Sequence, residues 1–203
     1  MRSLSPIPAL KISEYVREIL VIENFSVSNP FVLPLYANGA PTLLFHTAKG
    51  EINNSSNNLT LFGQTVFPDT LTIKENFTLI AYFFKPSALY SLFGVSGKEL
   101  ADNPIDLNLL NPSTTIRLQE QLLNASSLKE MIALLDSFVF TLITKVKTSI
   151  KLVEFATDQI VRNHSKEVLF KVQKELFVTE RTFQRTFERN IGIAPNQYRR
   201  ICQ

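Results

Sequence analysis

Thr179-Glu180-Arg181-Thr182-Phe183-Gln184-Arg185-Thr186-Phe187-Glu188-Arg189-Asn190 is the stretch on which the reading of this chain turns. Threonine is a good N-cap, because its side-chain oxygen can accept from a backbone N–H of the first helical turn. Phe183 and Phe187 are four residues apart and share one side of the helix that Thr179 opens. Glu180, Arg181, Gln184, Arg185 and Glu188 fall largely on the other faces. Gly192 suits the left-handed position that ends a helix, and Pro195 suits the first turn of the next. Upstream, Ser165 is placed to cap a helix over Glu167–Leu176, with Val168, Leu169, Val172 and Leu176 at helical spacing. Only Phe177-Val178 separates the two segments. Two helices with so tight a break are a helix-turn-helix candidate. In such a unit the second helix enters the major groove of DNA, where arginine can pair with guanine and glutamine with adenine. A plain amphipathic helix of a bundle shows the same periodicity, so the order of the residues has to separate the two readings.

Moving outward, Ile150–Val161 is a further helix, and from Ser149 onward four short helical segments follow with no strand between them. Before Ser149, Ser127-Leu128-Lys129-Glu130 fits a capping box. It opens a helix with Leu128, Met131, Ile132, Leu135, Phe138, Val139, Leu142, Ile143 and Val146 on one broad stripe. The stripe is wide enough to face a second copy of the chain, a homodimer seam, but ordinary core packing is the preferred account. Ser96-Gly97-Lys98-Glu99 fits a second capping box. From Phe31 to Lys85 the pattern is extended: Phe31-Val32-Leu33, Ala40–Thr47, Leu59–Phe62, Thr70–Lys74 and Phe77–Lys85, with Lys49-Gly50 and the Asn53–Asn58 cluster as turns. Tyr15–Phe25 reads as strand or helix. The order predicts an α+β chain, an N-terminal β-sandwich or small barrel followed by a helical C-terminal region. The expected division is a β domain over 1–110, connecting amphipathic helices over 111–148 and a helical unit over 149–203. Charge follows that division. Residues 1–150 carry 11 Lys/Arg against 12 Asp/Glu, and residues 151–203 carry 10 against 6, so the last quarter is net +4 and suits an anionic partner.

Residues 179–189, followed by Gly192-Ile193-Ala194-Pro195 and Tyr198, closely resemble the first helix-turn-helix of AraC/XylS-type transcription regulators. In that family a Ser/Thr opens the recognition helix, an Arg-x-Phe follows, and a Gly-x-Ser-Pro-x-x-Tyr segment leads into a linker helix. The match covers Ser165–Gln203. Leu61–Gln64, Phe83–Pro86, Leu92–Val95 and Glu99-Leu100 resemble the cupin-like N-terminal domain of one AraC-type subgroup. The resemblance implies major-groove reading by 179–190 and double-stranded DNA as partner. Thr179, Arg181, Thr182, Gln184, Arg185, Arg189, Lys174 and Arg200 are the expected contacts, and Lys166, Lys171 and Arg199 weaker ones. The chain departs from the family at Gln173, where a small residue is usual, and at Phe177, near which a glycine is usual. It departs again at Ala194, in place of a Ser/Thr cap, and at Gln203. AraC-type regions contain two helix-turn-helix units, and this sequence ends inside the linker, so a chain truncated before its second unit is expected.

The 203 residues are 45% hydrophobic and 19% charged, which supports a normal buried core. No apolar run approaches the ~20 residues of a membrane-spanning helix, and Met1–Pro6 has no apolar signal region, so a cytoplasmic protein without membrane contact is expected. Cys202 is the one cysteine; His46 and His164 are the only histidines. That leaves too few ligands for a zinc or metal-cupin site and no evident base for a thiol nucleophile. No cofactor, no metal and no enzymatic activity are expected. Phe45, His46, Phe62, Tyr82 and Phe84 lie in the strand region and could line a pocket for a small-molecule effector, or simply fill the core. The expected function is a sequence-specific DNA-binding regulator. The alternative is a ligand-sensing or dimerisation fragment that does not bind DNA by itself.

Overall fold

The computed structural model describes residues 1–26, 28–52, 57–146 and 151–203. Within them the strands form two antiparallel sheets. The larger contains β1 (Arg2–Leu4), β2 (Val16–Asn24), β4 (Thr42–His46), β6 (Leu59–Phe62), β8 (Phe77–Phe84) and β9 (Ile105–Asp106), in the order β1-β2-β8-β4-β6-β9. The smaller contains β3 (Phe31–Leu35), β5 (Gly50–Glu51) and β7 (Asp69–Ile73), in the order β3-β7-β5. Tyr15–Phe25, open between strand and helix, is strand β2, paired along its length with β8. Pro34 sits inside β3 opposite Thr70, which an edge strand tolerates because proline offers no N–H to a ladder. Four residues of the Asn53–Asn58 cluster, the start of the helix predicted from Ile150, and the boundary at 148–149 lie outside the described residues.

Successive side chains on a strand point to opposite faces, and the larger sheet is apolar on both. Leu43, Phe45, Ile80, Tyr82 and Phe84 pack against helices, whereas Leu44, Leu79 and Ala81 share a cluster with Leu71 and Ile73 of the smaller sheet. The result is three layers: helices, six-stranded sheet, three-stranded sheet. The helical layer contains α1 (Ala88–Phe93), α2 (Gly97–Leu100), a 3-10 turn (Leu107–Leu109), α3 (Pro112–Asn124) and α4 (Leu128–Thr144). Ser127 caps α4, accepting from the Glu130 N–H at 3.3 Å. Glu130 returns to the N–H and hydroxyl of Ser126, at 2.8 and 2.9 Å, one residue earlier than a standard capping box. Met131, Leu135 and Val139 are buried on the sheet, and Leu128, Ile132, Phe138, Leu142, Ile143 and Val146 pack around them. The width of the stripe is therefore used within the chain, as ordinary core. The Tyr82 hydroxyl donates to Asp136 at 2.7 Å and pins α4 to the sheet.

The C-terminal helices are α5 (Lys151–Arg162), α6 (Val168–Glu175), α7 (Glu180–Ile191) and α8 (Pro195–Ile201). They surround a separate core of Val153, Ala156, Ile160, Val168, Leu169, Val172, Phe183, Phe187, Ile191, Ile193 and Tyr198. Phe183, Phe187 and Tyr198 are among its largest fully buried side chains. Each phenylalanine contributes about 1.5–3 kcal/mol by leaving water. Phe187 also meets Phe183 and Tyr198 at ring-centroid distances of 5.7 and 5.6 Å.

Candidate nucleic-acid interface

α6 begins after Glu167, not at a Ser165 cap: Glu167 is the N-cap and makes no side-chain cap bond. The Glu167 carboxylate instead accepts from its own backbone N–H and bonds Ser165, and these two bonds hold that carboxyl below its usual range. α6 ends in a tight turn, and four residues, Leu176–Thr179, separate it from α7. Thr179 caps α7 as expected, accepting from the Thr182 N–H at 3.3 Å. Its hydroxyl donates to the Thr182 hydroxyl at 3.0 Å. At 100° per residue, the buried Phe183, Phe187, Asn190 and Ile191 mark one side of α7. Arg185 lies opposite that side, and Arg181 and Arg189 stand one turn before and after it, with Thr182 beside them.

Arg181, Thr182, Gln184 and Arg185 are all exposed. Among the described residues neither Arg181 nor Arg185 has an ion-pair partner. Gln184 stands off the arginine row, and its amide donates to Glu180 at 3.1 Å. Lys174 is exposed on α6 and Arg200 on α8, so neither shares a helix with that row. Lys166 and Lys171 are exposed as well.

Two arginines differ from expectation. Arg199 is only 6% exposed and donates to the His164 carbonyl at 2.7 Å. It ties α8 to the loop before α6 and is not available to a phosphate. Arg189 lies over the Tyr90 ring at 5.4 Å and donates to the Tyr90 hydroxyl at 3.3 Å. The partner belongs to α1, which the spacing of α7 could not reveal.

That contact is part of a larger one. Gly97 and Gly192 touch backbone to backbone; a Cβ on Gly97 would stand 2.6 Å from the Asn190 carbonyl oxygen and the Gly192 nitrogen. Gly192 also has φ 102°, the left-handed end that its sequence position predicted. Ser96 makes no side-chain bond to the start of α2; its hydroxyl donates to the Arg189 carbonyl at 3.1 Å. The serine of the second capping box therefore bonds the end of α7 rather than its own helix. Val66 and Ala101 pack against the C-terminal core, and a Cβ on Gly39 would stand 3.5 Å from the Tyr198 ring. Sequence reasoning missed Tyr90, Ser96 and Gly97 as partners of α7. The paired glycines, 97 and 192, are the signal that they leave in the sequence.

The expected ligand pocket is also redrawn. A cavity of about 190 Å³ lies between the sheets, lined mainly by apolar side chains including Leu20, Leu33, Leu44, Phe62, Ala81 and Phe83. Phe62 is the one expected residue among its walls. Phe45, Tyr82 and Phe84 are turned to the helical layer. His46 is buried beyond the cavity, with Nδ1 donating to the Ala48 carbonyl at 2.6 Å, and burial lowers its pKa. Asn38 and Thr42 supply polar groups in the cavity wall. Among the described residues no His, Cys, Asp or Glu cluster could hold a metal ion, and no helix is long and apolar enough to cross a membrane. Burial pushes the Cys202 thiol up, away from the thiolate a nucleophile needs.

Residues 5–106 match a family described as a domain of unknown function, DUF6597. Among solved structures, the chain is similar to the crystal structure of ToxT from Vibrio cholerae O395, with 10% identity, a TM-score of 0.43, and 91% of this chain and 77% of that chain covered. It is similar also to a 1.65 Å structure of ToxT from Vibrio cholerae, with 12% identity, a TM-score of 0.36 and 98% of each chain covered. A third similar structure is ToxT from Vibrio cholerae O395 bound to (E)-4-(8-methylnaphthalen-1-yl)but-3-enoic acid, with 13% identity, a TM-score of 0.33, and 91% and 98% covered. No curated protein matches the sequence.

Proposed function

The chain belongs to the DUF6597 family, and we propose that it is a DNA-binding transcription regulator of the AraC type, without enzymatic activity, that inserts α7 into the major groove. One observation carries this reading: α7 follows α6 after a tight turn, buries Phe183 and Phe187, and leaves Arg181 and Arg185 exposed and unpaired on the opposite side. A guanidinium already held by a carboxylate would have to break that pair before it could bind guanine or phosphate. These two are free to do so. Arg185 and Arg181 are the base- or phosphate-contacting residues of first rank, with Thr182 beside them. Gln184 can reach adenine by exchanging its intrahelical bond to Glu180, and the Thr179 side-chain oxygen caps the entering end by accepting from the Thr182 N–H. Lys174 and Arg200 add attraction for the phosphate backbone from flanking helices.

The cavity between the sheets supports a small-molecule effector as second ligand. Its walls favour a compact, mainly apolar molecule with one or two polar groups for Asn38 and Thr42. The contact of α2 with the end of α7 joins the strand-bearing part of the chain to the helix proposed to read DNA. The same contact favours a second reading, in which the helical unit is held on the β domain as part of a sensing or dimerising protein and does not bind DNA by itself.

A fluorescence-anisotropy titration of the whole chain on a labelled duplex separates the two. Regulator function predicts binding whose log K falls linearly with log salt, by roughly 0.9 per phosphate neutralised. Arg185→Ala should weaken specific binding by ~1–3 kcal/mol. A wild-type chain that gives no anisotropy change even at low salt supports the second reading instead.

A further inference from the structure

Two non-glycine residues among those described have positive φ, Asp102 and Phe177, both at 52°. Asp102 has a local reason: its carboxylate accepts from the N–H groups of Val66 and Phe67 at 2.6 and 3.0 Å. Short polar residues also tolerate the left-handed region. Phe177 has no such reason. It occupies the turn between α6 and α7, where the Val178 N–H donates to the Gln173 carbonyl at 3.2 Å and the Phe177 N–H to the Lys174 carbonyl at 3.3 Å. That pair of bonds is the Schellman ending of a helix, and it places its C′ residue in the left-handed region, usually as glycine. Phenylalanine is strained there by its Cβ. Its side chain is 95% exposed, so burial returns nothing for the strain. Folding alone would favour glycine at this position.

We infer that Phe177 is a DNA-contacting residue, its ring packed on the sugar–phosphate wall of the major groove beside the entering end of α7. The inference rests on the reading of α7 as the recognition helix. Consecutive Cα atoms are 3.8 Å apart, so Phe177 lies within about 8 Å of the N-cap Thr179. A helix with its side chains, about 10–12 Å across, fills a groove about 12 Å wide. A ring so close to the end that enters first therefore meets the groove wall. Lys174, exposed in the last turn of α6, stands beside it for the phosphates. The chemistry of the contact is apolar, ring carbons against deoxyribose carbons. It adds affinity without reading sequence, and it releases no counterions because it neutralises no phosphate.

The test uses the whole chain with Phe177→Gly, Phe177→Ala and Phe177→Tyr, measured by thermal denaturation and by anisotropy on a labelled random-sequence duplex at several salt concentrations. Glycine removes both ring and strain, alanine removes the ring and keeps the strain, and tyrosine keeps both. Phe177→Gly should raise Tm by about 2–4 °C, whereas Phe177→Ala should not. Both should lose affinity about tenfold with an unchanged salt slope, and Phe177→Tyr should bind as wild type does. Affinity equal to wild type in both ring-less variants would overturn the inference and leave the ring to a protein partner. An affinity that follows Tm, rising in the glycine variant, would overturn it too. A wild-type chain that binds no duplex is a different result: it removes the recognition-helix reading, and the inference with it.

Discussion

The first turns of α7 and its last turn are made from the same materials, arginine outward and phenylalanine or isoleucine inward, yet they meet different surroundings. Arg185 and Arg189 stand on one row of one helix, four residues apart. Arg185 faces solvent without a partner, whereas Arg189 lies on Tyr90, its carbonyl accepts from Ser96, and the chain beyond it presses on Gly97. The helix sets the direction of both guanidinium groups. The neighbouring element decides which of them can reach a ligand. One helix therefore carries an exposed first half and an anchored last turn.

Removing the rigid helix would erase the distinction between the two ends. Phe187→Ala should cost about 3–5 kcal/mol, seen as loss of the C-terminal helical signal in circular dichroism and in urea denaturation. An unaltered unfolding midpoint would show that the core drawn around Phe187 is wrong. Detaching only the anchored end is the finer cut. Gly192→Ala places a Cβ against Gly97 and at an unfavourable φ, for a combined cost of about 2–4 kcal/mol. Proteolysis should then release residues near the last turn of α7 faster than those near Thr179. Equal protection of both ends would mean the glycine contact does not anchor the helix. The smallest effect sharpens the comparison most. Arg189→Ala should cost about 0.5–1 kcal/mol of stability through the lost ring contact, while Arg185→Ala stays within about 0.5 kcal/mol of wild type and loses DNA affinity instead. Should the two variants exchange these behaviours in paired denaturation and duplex titrations, the division of α7 into reading and anchoring ends is wrong.

Strands and helices were legible because each has a period that short-range chemistry enforces. Leu59–Phe62 and Phe77–Lys85 are strands within a residue of their predicted bounds, and the α7 caps at Thr179 and Gly192 are where they were read. The ligand residues were misplaced by the same period. Phe45 and His46 are neighbours on β4 and must face opposite sides of the sheet, so a pocket lined by both was excluded from the start by alternation. Phe45, Tyr82 and Phe84 are in the helix-facing core for that reason. Arg199 was expected at a phosphate from the resemblance of its segment, which says nothing of the His164 carbonyl that receives it. Ser96 was read as a cap because Ser-x-x-Glu is a local signal; a carbonyl from a helix 93 residues later competes for the same hydroxyl.

From the residues alone came the α+β order, the two-helix unit, the inward phenylalanines and the outward arginines, all of which depend on contacts within a few positions along the chain. The free or engaged state of each arginine, the pairing of Gly97 with Gly192, and the cavity between the sheets depend on which distant backbone arrives beside them. So does the cost of leaving Phe177 in a glycine's conformation with its ring in water. Local periodicity fixes direction, and only the packed fold supplies the neighbour at the far end of it.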